Sequence, residues 1–153
     1  MCPLLGAGAL AAVIAGCGGA PSKASFIASA DKDCAAAQAQ ISKVAKPSLG
    51  RNATRGQAVQ ALATYLDREL AVSGQLLKEL KGLSQPTQDK TLLLQYLDSL
   101  QQGLTDYENL DAALKSRNAK AITQAYDAAN STQAATLAKA YGFKVCSVAA
   151  QSS

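Results

Sequence analysis

Histidine and tryptophan are absent from this 153-residue chain, methionine occurs once, and the aromatics are five tyrosines and two phenylalanines. Without histidine there is no Ser-His-Asp or Cys-His arrangement, and no Glu-x-x-His motif of the kind that holds paired irons in helical bundles. Zinc spacing, an EF-hand loop and a Gly-rich phosphate loop are missing as well. Acids are scarce, 11 against 15 Lys and Arg for a net charge of +4. The close acidic pairs, Asp31 with Asp33 and Asp106 with Glu108, lie two apart and so face different directions on a helix. Composition leaves a Ser-Lys dyad or a carboxylate pair open, but the expectation is a protein that is not an enzyme, with no metal and no cofactor. Runs of β-branched residues are also lacking, which argues against strands.

Alanine, leucine, glutamine and lysine abound, and they favour helix. Four helices are expected. The first runs from about Ser25 to Lys46, with Phe26, Ala30, Cys34, Ala37, Ile41 and Val44 at alternating four and three spacing, and stops before Pro47. The second opens at a capping box, Thr54 with Gln57 three residues on, and carries Val59, Leu62, Leu66, Leu70, Leu77 and Leu80 to Gly82. The third follows Pro86 and shows Leu93, Leu97, Leu100, Leu104, Tyr107, Leu110 and Leu114. The fourth opens near Asn118, holds Ile122, Ala125, Ala129, Leu137 and Ala140, and ends at Tyr141-Gly142, where glycine suits a left-handed cap. Short connections make antiparallel neighbours, so the expected fold is all-α, an up-down-up-down four-helix bundle over 25–146 with a disordered tail at 147–153.

The run from Leu10 to Cys17 closes an apolar stretch with a branched residue, two small residues and a cysteine, Ile14-Ala15-Gly16-Cys17. This resembles the lipobox of bacterial lipoproteins. The resemblance implies that residues 1–16 are a signal peptide that is removed, and that the Cys17 thiol carries diacylglycerol and its amine an acyl chain such as palmitate. The protein is then held on the extracytoplasmic face of the cell membrane. No positive charge lies between Met1 and Cys17, so the signal peptide is expected to begin upstream of Met1. The apolar stretch is too short for the ~20 residues of a membrane span.

Export permits disulfides. With Cys2 removed and Cys17 acylated, Cys34 and Cys146 can pair only with each other. That bridge closes a loop of about 110 residues, for which chain entropy gives about 4 to 5 kcal/mol as an upper estimate. In a four-helix bundle Cys34 lies about 14 Å into the first helix, and an extended segment from Gly142 to Cys146 runs back about 13 Å, so the two thiols arrive at one height.

Residues 17–24 form a tether of no more than about 25 Å beyond the anchor, which keeps the bundle near the bilayer. The outward tip then collects Lys43, Lys46, Arg51, Arg55, Lys115, Arg117 and Lys120 against one acid, Asp111. Cations at the ends of the first and third helices complement the helix dipole, but Arg51, Arg55 and Lys120 sit near helix starts, where they cost a few tenths of a kcal/mol. An anionic envelope polymer or acidic protein face is the expected partner of this patch, beside the membrane itself; nucleic acid is not expected. The alternative for the patch is a solvated tip that maintains solubility.

A second resemblance lies at the chain ends. Phe26-Ile27, Ala30-Asp31 and Cys34 early, with Tyr141-Gly142-Phe143 and Cys146 late, are similar to uncharacterised secreted helical lipoproteins of actinobacteria, which implies the fold and the envelope setting and brings no activity. The favoured function is a non-catalytic interaction or scaffold module of the cell envelope. The alternative is a small-ligand-binding lipoprotein with a site between helices, for which a cavity near Gly74 and Gly103 with Tyr96, Tyr107 and Tyr126 is the diagnostic feature.

Overall fold

The Ser22 hydroxyl accepts the N–H of Ser25 at 3.1 Å and opens helix α1, Lys23–Ile41. In this computed structural model, which describes residues 19–131 and 133–149, all regular structure among the described residues is helical. Cys17 and the lipobox lie outside them, as do Cys2 and the final four residues. Beyond Ile41 the backbone tightens, with Lys43 N–H on the Gln40 carbonyl and Val44 N–H on that of Ile41. The Ser42 hydroxyl donates to the Ala39 carbonyl, and Pro47 disfavours helix just before it. The expected extension to Lys46 is therefore replaced by open turns.

Helix α2, Arg55–Gly82, begins at the expected capping box: Thr54 Oγ1 accepts the Gln57 N–H at 3.2 Å and Gln57 Oε1 accepts the Thr54 N–H at 2.8 Å. Helix α3, Lys90–Ser116, ends on Arg117 with φ +54°, and Asn118 then caps α4, Ala119–Ala129, by accepting the Ala121 N–H. That reversal folds α4 back on α3.

The single fourth helix expected to Tyr141 is two helices. Asn130 directs both its backbone N–H and its side-chain amide at the Tyr126 carbonyl, while Ser131 N–H and Oγ both take the Ala128 carbonyl. These local bonds compete with the helical ladder and end α4. Helix α5, Ala134–Tyr141, restarts with a new phase. Ala134, Ala138 and Tyr141 turn inward, and Ala140, expected in the core, is exposed. Gly142, at φ +106°, caps α5 as expected. A further helix, α6, Val145–Ala149, replaces the extended run expected at Val145 and Cys146 and takes in 147–149, the first residues of the expected disordered tail.

Helix α2 packs on α1 and α3, α3 on α4 and α5, and α6 bridges α5 to α1. Two cores result. Near the start of α1, Phe26, Ala30, Cys34, Leu80, Leu93, Tyr96, Tyr141 and Phe143 pack together, with the Phe143 ring 4.9 Å from Tyr141 and 5.0 Å from Tyr96. At the other end Ala63, Leu66, Leu110 and Leu114 gather Ile122 and Ala125 of α4. No α1 residue belongs to this second core, and α1 does not pack against α4.

Candidate functional site

The apolar face of α1 continues past the first core without meeting a second one. Ile41 and Val44, placed in the core by periodicity, are only half-buried. Opposite them, Leu70 and Leu76 of α2 and Leu100, Leu104 and Tyr107 of α3 are half-buried too. Together they enclose a cleft of about 710 Å³ running between α1, α2 and α3. Its extent, Tyr65 to Leu77 on α2, is about 18 Å at helical rise.

The inner end is sealed. Cys34 and Cys146 form a disulfide with Cα atoms 5.3 Å apart, and both line the cleft together with Ala134 and Tyr96. The Tyr96 side chain is buried, and that burial holds its phenol well above the ordinary tyrosine range, the Asp31 charge adding to the effect. Asp31 fixes this end structurally. One carboxylate oxygen accepts the N–H groups of Val145 (2.9 Å) and Cys146 (3.0 Å), and the other that of Lys144 (3.0 Å), so a side chain of α1 caps α6. Spaced three residues apart on α1, Asp31 and Cys34 hold the same short segment, one electrostatically and one covalently. Sequence reasoning missed this role of Asp31; its spacing from Cys34 is the only signal present in the chain.

The outer end is open and polar. Lys43, Lys46, Gln38 and Ser42 border it on the α1 side. On α2 the Tyr65 hydroxyl donates to Glu69, which with a smaller contribution from burial pushes the phenol up to about 12. Tyr107, on α3, is also raised, chiefly by burial and then by the Glu69 charge. Arg68 stands beside this mouth, on a shallow dent shared with Ala45 and Tyr65.

Compared with family models, curated proteins and solved structures, the chain matches none.

The expected basic tip divides. Lys43 and Lys46 belong to the cleft mouth. Lys115 is held between Asp67 at 2.7 Å and Asp111 at 2.6 Å, and the hydrogen bond to Asp111, then that to Asp67, raises its pKa. Asp67, absent from the sequence-level account of the tip, therefore neutralises part of it. Arg51, Arg55, Arg117 and Lys120 remain exposed at the far end, with Arg117 reaching toward Gly56 in the first turn of α2.

Of the features named for a ligand site, Gly103, Tyr96 and Tyr107 line the cleft. Gly74 lies behind it, where an added Cβ would touch Leu104 at an ordinary 3.9 Å. Tyr126 lies elsewhere and is 59% exposed. Among the described residues there is no His, Cys, Asp and Glu grouping suited to a metal, and no helix is long and apolar enough to cross a membrane.

Proposed function

We propose that the chain is a lipid-anchored, extracytoplasmic binding protein that holds an elongated apolar small molecule in the cleft between α1, α2 and α3. The observation that carries this reading is the cleft itself. Its volume of about 710 Å³ falls within the range of small-molecule sites, which are concave, mainly apolar and furnished with a few polar groups. Four side chains that periodicity assigns to a core, Ile41, Leu70, Leu100 and Leu104, are left half-exposed on its walls, with Leu76 beside them. Each methylene of an occupant removed from water there contributes about 0.8 kcal/mol.

In this reading α1, α2, α3 and the broken α4–α5 segment are an up-down-up-down four-helix bundle that has opened along the seam between its first and last members. The anchor rests on the lipobox at Ile14 to Cys17, and the extracytoplasmic address is supported by the Cys34–Cys146 disulfide. A scaffold acting through the basic tip is less well supported, because Lys115 is engaged by two carboxylates and Lys43 and Lys46 face the cleft.

Nile red, an uncharged dye that brightens in apolar surroundings, tests the reading on the full chain. The expected result is saturable binding near one dye per chain, abolished by Ser73→Trp, which fills the α2 wall of the cleft, with an unchanged far-ultraviolet dichroism spectrum. Binding that persists in the folded Ser73→Trp variant rejects the cleft as the site. The intact mass without reductant tests the address: residues 17–153 plus acyl groups, less two hydrogens for the disulfide, is expected, and an unlipidated chain retaining residues 1–16 overturns it.

A further inference from the structure

The two ends of the cleft are chemically unlike. At the inner end Cys34, Leu77, Tyr96, Ala134 and Cys146 are all buried, and beyond them the rings of Phe26, Tyr141 and Phe143 close the core. At the outer end Lys43, Ala45 and Lys46 are exposed. Neither lysine forms an ion pair among the described residues, whereas Lys23 and Lys115 are both paired. A cation at the rim of an apolar slot sealed at its far end recognises a molecule of matching polarity, apolar along its length and negative at one tip.

We propose that the occupant is a fatty-acid anion, a single acyl chain lying along α2 and α3 toward the disulfide with its carboxylate at Lys43 and Lys46. This rests on the cleft being a ligand site. The shape argues for one chain, because the cleft is about 18 Å long on α2 and is bounded by three helices. The charge argues for a monoanion. Against the two lysines stand the Glu69 carboxylate, which accepts the Tyr65 hydroxyl, and the carbonyl end of α1, which carries about half a negative charge. The surplus is about half a positive charge from these groups and about one and a half with Arg68 beside the mouth, a range that holds the single charge of a carboxylate and that a phosphate dianion exceeds. Lysine suits this role because its long apolar stem extends the wall of the slot while the ammonium stays in water.

Displacement of Nile red from the full chain by four twelve-carbon amphiphiles separates the possibilities: laurate, dodecanol, dodecyl phosphate and dodecyltrimethylammonium. Laurate is expected to displace the dye at about tenfold lower concentration than dodecanol, the scale set by two partly exposed ion pairs. That preference shrinks as salt is added. In Lys43→Gln/Lys46→Gln the laurate-to-dodecanol ratio falls to about one, and Lys43→Arg/Lys46→Arg restores it, a rescue that a purely structural role for the lysines does not produce. Equal displacement by laurate and dodecanol, or a preference that survives Lys43→Gln/Lys46→Gln, overturns the carboxylate assignment while leaving the apolar site intact. Stronger displacement by dodecyl phosphate or by the cation overturns it in favour of that head. If the dye does not bind at all, the cleft reading and this assignment fail together.

Discussion

Asp31 holds three backbone N–H groups of residues 144–146 with one carboxylate, tying the two ends of the domain together beside the Cys34–Cys146 disulfide. Hydrogen bonds to a charged acceptor contribute about 1.5 to 3 kcal/mol where their loss leaves donors unsatisfied. Asp31→Ala is therefore expected to lower unfolding free energy by about 2 kcal/mol, read as a shift in the urea midpoint with the slope unchanged. Asp31→Asn keeps an oxygen able to accept the Val145 and Cys146 N–H groups and is expected to lose clearly less. Equal losses in the two variants would falsify the capping role. The same residue shows what periodicity misses. Asp31 has one partner set 113 to 115 positions away, and apart from its spacing from Cys34 nothing in its local surroundings announces it.

Helix ends carry their instructions locally, and Gly142 is the sharpest example. Its φ of +106° lies where a side chain is disfavoured by about 1 to 2 kcal/mol. Space is not the obstacle, since an added Cβ would meet Ile27 Cδ1 at 3.5 Å. Gly142→Ala is expected to lose about 1 to 2 kcal/mol in thermal or chemical unfolding, and no loss would mean that α5 ends by another route. Thr54 and Gly142 were legible as caps, and Asn118 as the place where a helix opens, because each acts on neighbours within three or four residues. The break between α4 and α5 was not. It depends on Asn130 and Ser131 outbidding a helix that alanines on both sides favour, a contest that spacing alone does not resolve. The cleft was hidden for a related reason. Leu70, Leu100 and Leu104 carry the periodicity of core residues, and only the missing contact between α1 and α4 decides that they line a cavity instead.

Several phenols and one lysine set the response of the whole molecule to alkali. Tyr65 is raised to about 12, first by its bond to Glu69, and burial is the leading cause for Tyr96, Tyr107 and Tyr141. Each keeps its proton in the folded state at a pH where the unfolded chain, near 10, has released it. The unfolded state then binds fewer protons, so stability is fully present below about pH 10 and drains as pH rises toward 12. Lys115, raised by Asp111 and Asp67, acts with the same sign. The melting temperature is expected to hold flat to about pH 9 and to fall steeply between about 10 and 12; a flat profile through 12 contradicts these environments. The disulfide has a mechanical consequence at this scale. Cys34 and Cys146 are 112 residues apart in sequence, so a pull applied between the two ends of the chain follows a short covalent route: down the first part of α1, across the sulfurs and out through α6. Everything between, the cleft and whatever it holds included, is a side loop off that load path, and it stays slack while the ends are under tension.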